Sequence, residues 1–399
     1  MRHHRPLLAL AVIALLSPPC RAQCPRRELV TSLGQRNPVS ETITGASVSL
    51  VPVAAIDGAR YLRVRLELAQ PGAGPWTLVV RDASFRPIHV FAAADFARSP
   101  VLWTPRVQGS QLALELRPAS AGAGPGIRAT MVVWMPDKAK NPYYSIHGQT
   151  ALYHDLYASP TTSDVRRTGD PIGVLLGSFD RESWVCSGAM VAPDLFLTNW
   201  HCGGPGSIPG GAAGARASFP ENGYWSRDIV RDVLVDLSWD GDAVSREMEA
   251  VRVVAKSKDL DFALLELRPL DERGPVATLP LRKDPVIAGE TLRIVHHPEG
   301  LTKRITDQSC SVVDASFEGW KNAGEATEFT HQCDTEGGSS GAPVIDGQGR
   351  IAGLHHLGFE IDPNTCQPSF NKNRAVRIDR ILQFLEANAP EALARLERK

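Results

Sequence analysis

Alternation of apolar and polar residues over short stretches is the feature that most restricts how this chain can fold. Between residues 61 and 68 every second side chain is apolar: Leu62, Val64, Leu66 and Leu68. Successive side chains of a strand point to opposite faces, so this pattern predicts a half-buried β-strand. Residues 112–116 repeat it, and further apolar runs follow between clusters of Gly, Pro and Asp. The 34 glycines and 30 prolines interrupt helices. The sequence therefore predicts an all-β fold.

Two strand-rich regions, separated by a stretch without alternation, indicate two domains. The first has the strand spacing of a β-sandwich, and we expect that domain to occupy residues 23–136. Pro, Tyr, Ser and Thr are frequent in residues 137–169, which we predict to be a linker containing the dibasic pair Arg166-Arg167. Residues 170–390 again have the pattern of strands. They end in one helix, for which Asp379 is a candidate N-cap, and residues 391–399 follow as a C-terminal tail.

The first 22 residues have the arrangement of a secretory signal peptide. Arg2 and Arg5 precede an apolar run, residues 7–16, that is too short to span a bilayer, and Ala22 is the small residue that cleavage requires. We therefore expect a secreted or periplasmic monomer with no membrane contact after signal removal. The 43 Lys and Arg balance 44 Asp and Glu. This balance argues against nucleic acid as a partner, because no long-range attraction for a polyanion exists.

Export changes what the cysteines are expected to do. The chain has seven, and removal of Cys20 with the signal leaves an even number. An oxidising compartment favours disulfides, so we expect three of them. The remaining cysteines are Cys24, Cys186, Cys202, Cys310, Cys333 and Cys366.

Three separated segments carry side chains that can cooperate in nucleophilic catalysis. His201 follows Thr198-Asn199-Trp200, Asp261 opens the apolar stretch 262–265, and residues 337–341 read Gly-Gly-Ser-Ser-Gly. A hydroxyl nucleophile needs a base for its proton, the base needs a carboxylate to fix its tautomer, and the oxyanion needs backbone N–H donors. Each segment alone is an ordinary feature of a folded protein. Their joint occurrence in this order favours a hydrolase.

From Ile172 to the C-terminal helix the chain resembles the trypsin/chymotrypsin superfamily of serine peptidases, and most of all its secreted bacterial glutamyl and lysyl endopeptidase-type members. The resemblance implies a double β-barrel in which His201 is the general base, Asp261 orients it and Ser340 is the nucleophile. It implies an oxyanion hole formed by the N–H groups of Gly338 and Ser340. It also implies a disulfide between Cys186 and Cys202 beside the base. Residues before Ile172 lie outside the resemblance.

The other cysteines are paired by position. Cys310 and Cys333 flank a predicted hairpin that ends at the nucleophile segment, so we pair them. Cys24 and Cys366 are then left to join the N-terminal segment to the peptidase domain. No cofactor and no metal are expected, since the histidine pairs of this sequence lack clear carboxylate or thiol partners. Polypeptide substrates are the expected partners.

Specificity is less constrained than reaction type. Asp334 precedes Ser340 by six positions, where trypsin has the carboxylate of its specificity pocket, and this implies cleavage after Lys or Arg. His355 falls where glutamyl endopeptidases have a histidine that favours acidic side chains, so a preference for Glu is the alternative. Ser339 stands where trypsin has an Asp that pairs with a freshly cut N-terminus. We therefore do not expect that activation switch.

The sequence leaves the identity of two site residues and the role of the N-terminal domain open. Residues 337–341 also satisfy the G-x-S-x-G pattern of α/β-hydrolases, with Ser339 as nucleophile, although the predominance of strands argues against that fold. Asp259 is a second candidate for the carboxylate. A catalytically silent, protease-like binding protein is the alternative to an enzyme. The N-terminal domain is either an inhibitory pro-region released near Arg167 or a retained recognition module.

Overall fold

A computed structural model describes residues 31–45, 48–119, 124–136, 144–145, 150–158, 161–179, 182–204, 224–226, 230, 233–240, 246–270, 274–319, 325–358, 360–361, 368–369 and 373–398. The signal peptide predicted for residues 1–22 lies outside these ranges, and so do Cys24 and Cys366. Within the described ranges, no helix is both long and apolar enough to cross a membrane. Antiparallel strands dominate, which confirms the all-β prediction.

The N-terminal part of the molecule is a sandwich of two antiparallel sheets. Its described strands are β1 (Thr31–Thr44), β2 (Ser49–Ala55), β3 (Ala59–Gln70), β4 (Trp76–Arg81), β5 (Pro87–Ala92), β6 (Val101–Trp103), β7 (Val107–Gln108), β8 (Gln111–Pro118) and β9 (Gly126–Pro136). One sheet has the order β1-β9-β3-β6 and the other β2-β8-β4-β5, and a short helix α1 (Ala93–Arg98) follows β5. The alternating leucines of β3 and β8 fill the core between the sheets.

One residue of β3 departs from the simple alternation. Arg63 belongs to the polar face of the strand, yet it is only 2% exposed. That face is covered by the following barrel, because Arg63 Nη2 lies 3.2 Å from Glu247 Oε2 of that barrel. Strand β1 pairs with both β9 and a strand of the same barrel, so the two parts share one sheet. Along the chain, the stretch that the sequence predicts to be a linker contains β10 (Tyr144–Ser145), β11 (His154–Asp155) and α2 (Ser163–Arg167).

The next six strands form a closed antiparallel barrel. They are β12 (Ile172–Phe179), β13 (Glu182–Ala192), β14 (Leu195–Thr198), β15 (Leu234–Asp236), β16 (Glu247–Ser257) and β17 (Phe262–Pro269). The order is β12-β15-β16-β17-β14-β13, and β13 pairs back to β12. Aliphatic and aromatic side chains fill this barrel, and β14 is buried along its whole length.

The second barrel carries the nucleophile segment. Its described strands are β18 (Leu292–His296), β19 (Arg304–Thr306), β20 (Val312–Glu318), β21 (Ala326–His331), β22 (Thr335–Glu336), β23 (Pro343–Asp346), β24 (Ile351–Leu357), β25 (Glu360–Ile361), β26 (Pro368–Ser369) and β27 (Asn373–Arg377). The main sheet has the order β11-β19-β18-β23-β24-β27-β21-β20. A bridge between Thr291 and Ser311 joins the starts of β18 and β20 and closes it. The predicted double β-barrel is therefore confirmed.

Two helices end the chain. The helix α3 (Ile378–Asn388) is the C-terminal helix that the sequence predicts, and it packs Ile381 and Leu385 between the barrels. The prediction of Asp379 as its N-cap is wrong: the N-cap is Arg377, two residues earlier, and Asp379 instead accepts the Arg377 guanidinium at 2.7 and 3.0 Å. The helix α4 (Pro390–Glu397) follows, in the stretch that the sequence assigns to a tail.

Candidate active site

His201 and Asp261 meet at the end of the first barrel. Strand β14 runs into a 3-10 turn, His201–Gly203, and β17 begins directly after Asp261. Because β14 pairs with β17, with Thr198 opposite Ala263, the two side chains are brought together. His201 Nδ1 lies 2.7 Å from Asp261 Oδ2, and the His201 backbone N–H donates to Asp261 Oδ1 at 2.9 Å. Both side chains are fully buried.

The environment of Asp261 holds it as a carboxylate. Burial alone would raise its pKa, but the charge and hydrogen bonds of His201 and His356 outweigh burial and hold the pKa at about 2. Its backbone has φ of +41°, a conformation that non-glycine residues adopt at a cost and that surrounding contacts must maintain. Asp259, the alternative carboxylate, is exposed. The geometry favours Asp261 as the partner of His201.

His356 is a neighbour of Asp261 whose role the motifs did not indicate. Its Nδ1 lies 3.1 Å from Asp261 Oδ2, and its Nε2 lies 3.1 Å from Glu328 Oε2. Arg374 Nε approaches the same oxygen of Glu328 at 3.2 Å. Burial alone would lower the pKa of His356, but the carboxylates of Glu328 and Asp261 outweigh burial and raise it. A buried row of alternating charge thus continues behind the His201–Asp261 pair.

Ser340 lies in a tight turn that is fastened to both barrels. The Ser187 backbone N–H of β13 donates to the Ser340 carbonyl at 2.7 Å, and the Gly341 N–H donates to the His355 carbonyl of β24 at 2.8 Å. Gly341 has φ of +85°, and a Cβ there would lie 2.2 Å from the Ser187 carbonyl oxygen. Only glycine fits this close approach.

The two serines of the turn have different surroundings. Ser339 is fully buried, and its hydroxyl lies 2.8 Å from His296 Nδ1 and accepts the Glu336 N–H at 3.2 Å. Ser340 is half-buried. The buried Nε2 of His201 has no hydrogen-bond partner among the described residues, so the bond between base and nucleophile is not formed. Such bonds are often long without substrate and tighten when it binds.

Backbone N–H groups of the same turn are available to an oxyanion. The Gly337 carbonyl accepts the Glu299 N–H at 2.6 Å. Because a trans peptide is planar, the N–H of Gly338 must point away from Glu299. In the described part of the chain, neither the Gly338 nor the Ser340 N–H donates to another protein atom. The candidate site therefore contains four groups for catalysis: the backbone N–H groups of Gly338 and Ser340, the buried Nε2 of His201 and the Ser340 hydroxyl.

Residues 186–354 match the family model described as trypsin-like peptidase domain. These residues thus have the sequence pattern of a trypsin-like peptidase domain. For this part of the chain, the match confirms the resemblance to the trypsin/chymotrypsin superfamily and the expected enzyme class, a peptide-bond hydrolase.

Similar proteins match less of the chain or match it weakly. The secreted RxLR effector protein 73 of Plasmopara viticola is 31% identical over 112 residues, which are 28% of this chain and 27% of that protein. The chain thus spans about a quarter of the length of this curated relative. A solved Glu endopeptidase is 16% identical, with a TM-score of 0.40 over 63% of this chain and 99% of that one. The active form of the Rv3671c protease from M. tuberculosis is 18% identical, with a TM-score of 0.39 over 60% and 91%.

Asp334 of the peptidase domain is enclosed rather than open to solvent. It is 1% exposed, and its Oδ2 accepts the Leu152 backbone N–H at 2.8 Å. The Thr306 hydroxyl donates to its carbonyl at 2.9 Å. Glu336, two residues on, is half-buried and accepts the Tyr153 hydroxyl at 2.7 Å. The segment before the first barrel therefore lines the loop that carries both carboxylates.

His355 is also buried in the peptidase domain, and it faces a second histidine. Its Nδ1 lies 3.3 Å from His331 Nε2. Burial, then the neighbouring histidines, lower the pKa of His355 well below its usual value, so its imidazole is neutral. Asp334 and His355 thus contact different groups, Leu152 and His331.

The disulfides of the peptidase domain support the turns around the site. The Cys186–Cys202 disulfide joins β13 to the turn that carries His201. The Cys310–Cys333 disulfide anchors the residue that directly precedes Asp334. Cys186, His201 and Cys202 offer ligand atoms within 4.8 Å of one another. Sulfur atoms joined in a disulfide are not thiolates, however, and so do not form a metal site. The Cys24–Cys366 pairing lies outside the described residues.

Proposed function

We propose that this protein is a secreted serine endopeptidase that works through a covalent acyl-enzyme. Ser340 attacks the peptide carbonyl while His201 takes its proton and passes it to the leaving amine, and water then hydrolyses the ester. Asp261 orients His201, and the Gly338 and Ser340 N–H groups stabilise the oxyanion. The observation that carries the proposal is the buried His201–Asp261 contact of 2.7 Å, which leaves His201 Nε2 free of protein partners among the described residues.

We propose further that the enzyme cleaves after Lys or Arg. Asp334 and Glu336 lie on the loop that leads to the nucleophile, and the negative charge of this loop would attract a basic substrate side chain. The alternative, cleavage after Glu, requires a positive group for the substrate carboxylate. His355 is neutral for the reasons given above, which weighs against that role.

Labelling with a fluorophosphonate probe tests the proposed mechanism. The intact chain is expected to label, Ser340→Ala to lose the label, and Ser339→Ala to keep it. Asp261→Asn is expected to lower kcat by about 10⁴-fold, the loss seen when this carboxylate is replaced in such triads. Asp259→Asn is the matched control and should stay close to the unmodified enzyme. An intact chain that folds but does not label would favour the silent binding protein, and loss of label in Ser339→Ala alone would move the nucleophile to that residue.

A panel of peptides that differ only in the residue before the scissile bond tests the specificity. Lys and Arg peptides should have the highest kcat/KM, and Asp334→Asn should lower it for these peptides more than for a neutral one. Faster cleavage after Glu would contradict the proposal. The mature chain is proposed to comprise a sandwich domain (23–136), a connecting segment (137–169) and the peptidase domain (170–390).

A further inference from the structure

The sandwich is joined to the first barrel through buried charged pairs. Arg63 Nη2 lies 3.2 Å from Glu247 Oε2. Arg106 contacts the Asp236 carboxylate, and its backbone N–H donates to Glu247 Oε1 at 3.2 Å. All four side chains are at most 4% exposed. Each side of this interface compensates buried charges of the other, so separation would leave charges without partners.

Trp239 of the first barrel lies at the centre of this interface. The Arg106 guanidinium sits 4.1 Å from the centroid of the indole ring, and the Tyr61 ring meets it edge-on at 5.2 Å. Met135 of the sandwich packs in the same apolar cluster. Residues of the sandwich therefore determine how the indole is oriented, and with it the direction of its N–H group.

The indole N–H of Trp239 is used to hold a turn of the second barrel. It donates to the Gly300 carbonyl at 2.9 Å, and Arg60 Nη1 of the sandwich donates to the same oxygen at 3.1 Å. Gly300 ends a 3-10 turn that begins at Pro298. One donor to this carbonyl thus belongs to the sandwich, and the other is oriented by it.

The turn 298–300 also holds the backbone that carries the Gly338 N–H, one of the two proposed donors to the oxyanion. Glu299, in the left-handed region with φ of +52°, donates its N–H to the Gly337 carbonyl at 2.6 Å. A Cβ placed on Gly338 would lie 3.3 Å from both the Glu299 and the Gly300 nitrogen. The peptide between Gly337 and Gly338 therefore rests directly on the turn. A strained conformation such as that of Glu299 persists only when its surroundings fix it.

We infer that the N-terminal sandwich is a permanent part of the active enzyme, and that the sandwich positions the oxyanion hole through Arg60, Trp239 and the turn 298–300. The inference rests on the proposed function, since it assigns Arg60 as a positioning residue for that reaction. It favours retention of the sandwich over its release as a pro-region. Arg60 does not touch the reacting atoms, and it acts by keeping the Gly338 N–H aimed at the oxyanion.

The variant Arg60→Met tests this role, because methionine keeps much of the side-chain length but cannot donate to Gly300. We expect kcat to fall about tenfold, as for loss of one hydrogen bond from a charged donor. A peptide aldehyde forms a tetrahedral adduct whose oxygen occupies the oxyanion hole, so its affinity should fall by the same factor. KM and the affinity of the product peptide, which do not depend on the oxyanion, should stay the same.

Arg98→Met is the matched control, since Arg98 is an exposed arginine of the sandwich on α1. It should leave kcat, KM and aldehyde affinity unchanged. Equal losses of aldehyde and product affinity in Arg60→Met would indicate a general structural effect and overturn the inference. Labelling of Ser340 in the unmodified chain tests the proposed function separately. An Arg60→Met enzyme that labels and turns over normally contradicts the inference alone.

Cleavage at the exposed helix α2 supplies a second test. Limited digestion after Arg166 or Arg167 would nick the chain between the two parts, and Cys24→Ser removes any disulfide that Cys24 forms. We expect the two fragments to elute together from a sizing column and the nicked enzyme to keep its kcat. A sandwich fragment that separates while the remaining fragment stays fully active would overturn the inference.

Discussion

Asp261 lies between two imidazole rings, and this arrangement gives the site its own electrostatics. His201 and His356 both approach Asp261 Oδ2, at 2.7 and 3.1 Å. The two ring nitrogens of His356 each face a carboxylate oxygen, of Asp261 and of Glu328. An imidazole that meets acceptors at both nitrogens is best satisfied when it is doubly protonated. The charge on His356 should therefore stabilise the ionised form of Asp261.

This arrangement predicts how activity depends on alkaline pH. The pKa of His356 is raised in the folded protein, so its contribution to the free energy of unfolding is complete below its unfolded pKa and is lost as pH rises through its folded pKa. The positive charge that His356 places beside the Asp261 carboxylate is lost as pH rises through the same folded pKa. Glu328→Gln removes one of the two carboxylates that raise this pKa. The pKa of His356 should fall, and the alkaline fall of kcat/KM should move to lower pH. The measurement is a pH profile of kcat/KM for the variant and the unmodified enzyme.

Glu318→Gln is the control for this prediction, since Glu318 is an exposed glutamate on the adjacent strand β20. Its pH profile should match that of the unmodified enzyme. An unchanged alkaline limb in Glu328→Gln would show that His356 does not titrate with the activity. Loss of activity at every pH without a shift of the limb would assign Glu328 a purely structural role.

Individual residues of the candidate site differ in how well sequence indicates them. His201, Asp261 and Ser340 stand in local motifs whose neighbours define the turns that carry them. His356 is 95 residues from Asp261 in the chain. The pair His355-His356 is visible in the sequence, and in a strand the two must face opposite ways. Which of them faces Asp261 depends on the pairing of β24 with its neighbours, which no local pattern encodes.

At the scale of elements, short strands in the predicted linker make contacts that the alternation of apolar and polar residues could not indicate. β10 pairs with β22, and β11 pairs with β19. Strands of two residues are too short to produce alternation, so they are indistinguishable from a linker in the sequence. Long strands such as β3 have clear alternation and were predictable. The two-residue strand β10, by contrast, pairs with Thr335 and Glu336, directly after Asp334.

Tyr153→Phe tests whether the segment before the first barrel supports the loop that contains Asp334 and Glu336. The variant loses the hydrogen bond of 2.7 Å between the Tyr153 hydroxyl and the half-buried carboxylate of Glu336. Burial and Asp334 raise the pKa of Glu336 while this bond lowers it, so the pKa should rise further. We expect about 1 kcal/mol less stability and a higher KM for basic peptides, with kcat nearly unchanged. Urea unfolding and steady-state kinetics measure these effects.

Tyr157→Phe is the control, because it removes a hydroxyl from the same segment at a position without the contact to Glu336. Its KM should stay at the value of the unmodified enzyme. If Tyr153→Phe also leaves KM unchanged, the segment does not shape the pocket. A rise in KM that is the same for basic and neutral peptides would mean that the effect does not depend on the charge of Asp334 and Glu336.

At the scale of the whole molecule, the near-zero net charge conceals charges that are paired across the domain interface. The formal net charge is −1, yet Arg63 and Arg106 of the sandwich are buried against Glu247 and Asp236 of the barrel. The composition predicts no such pairing, because a count of charges carries no positions. Alternation in β3 indicated that Arg63 lies opposite the sandwich core, but not that another domain covers it.

Arg106→Met should therefore destabilise the whole molecule. It leaves the Asp236 carboxylate buried without its guanidinium partner, and breaking a buried pair from one side costs about 3–5 kcal/mol. Unfolding in urea at neutral pH measures this cost. Arg128→Met is the matched control, since Arg128 is half-exposed and pairs with Glu67 within the sandwich. A surface pair of that kind contributes about 1 kcal/mol or less.

The pH dependence of this cost distinguishes lost charge pairing from lost packing. Burial, and then the charge of Asp236, raise the pKa of Glu247 even though Arg63 and Arg106 lower it. A carboxylate with a raised folded pKa binds protons more readily in the folded state, so its unfavourable effect on stability grows as pH rises from its unfolded pKa and is complete above its folded pKa. Removal of Arg106 should raise this pKa further. The stability difference between Arg106→Met and the unmodified protein should therefore narrow on acidification, because protonation of Glu247 removes the negative charge that lies beside Asp236. A difference that stays constant from neutral to acid pH would assign the cost to packing against Trp239 instead.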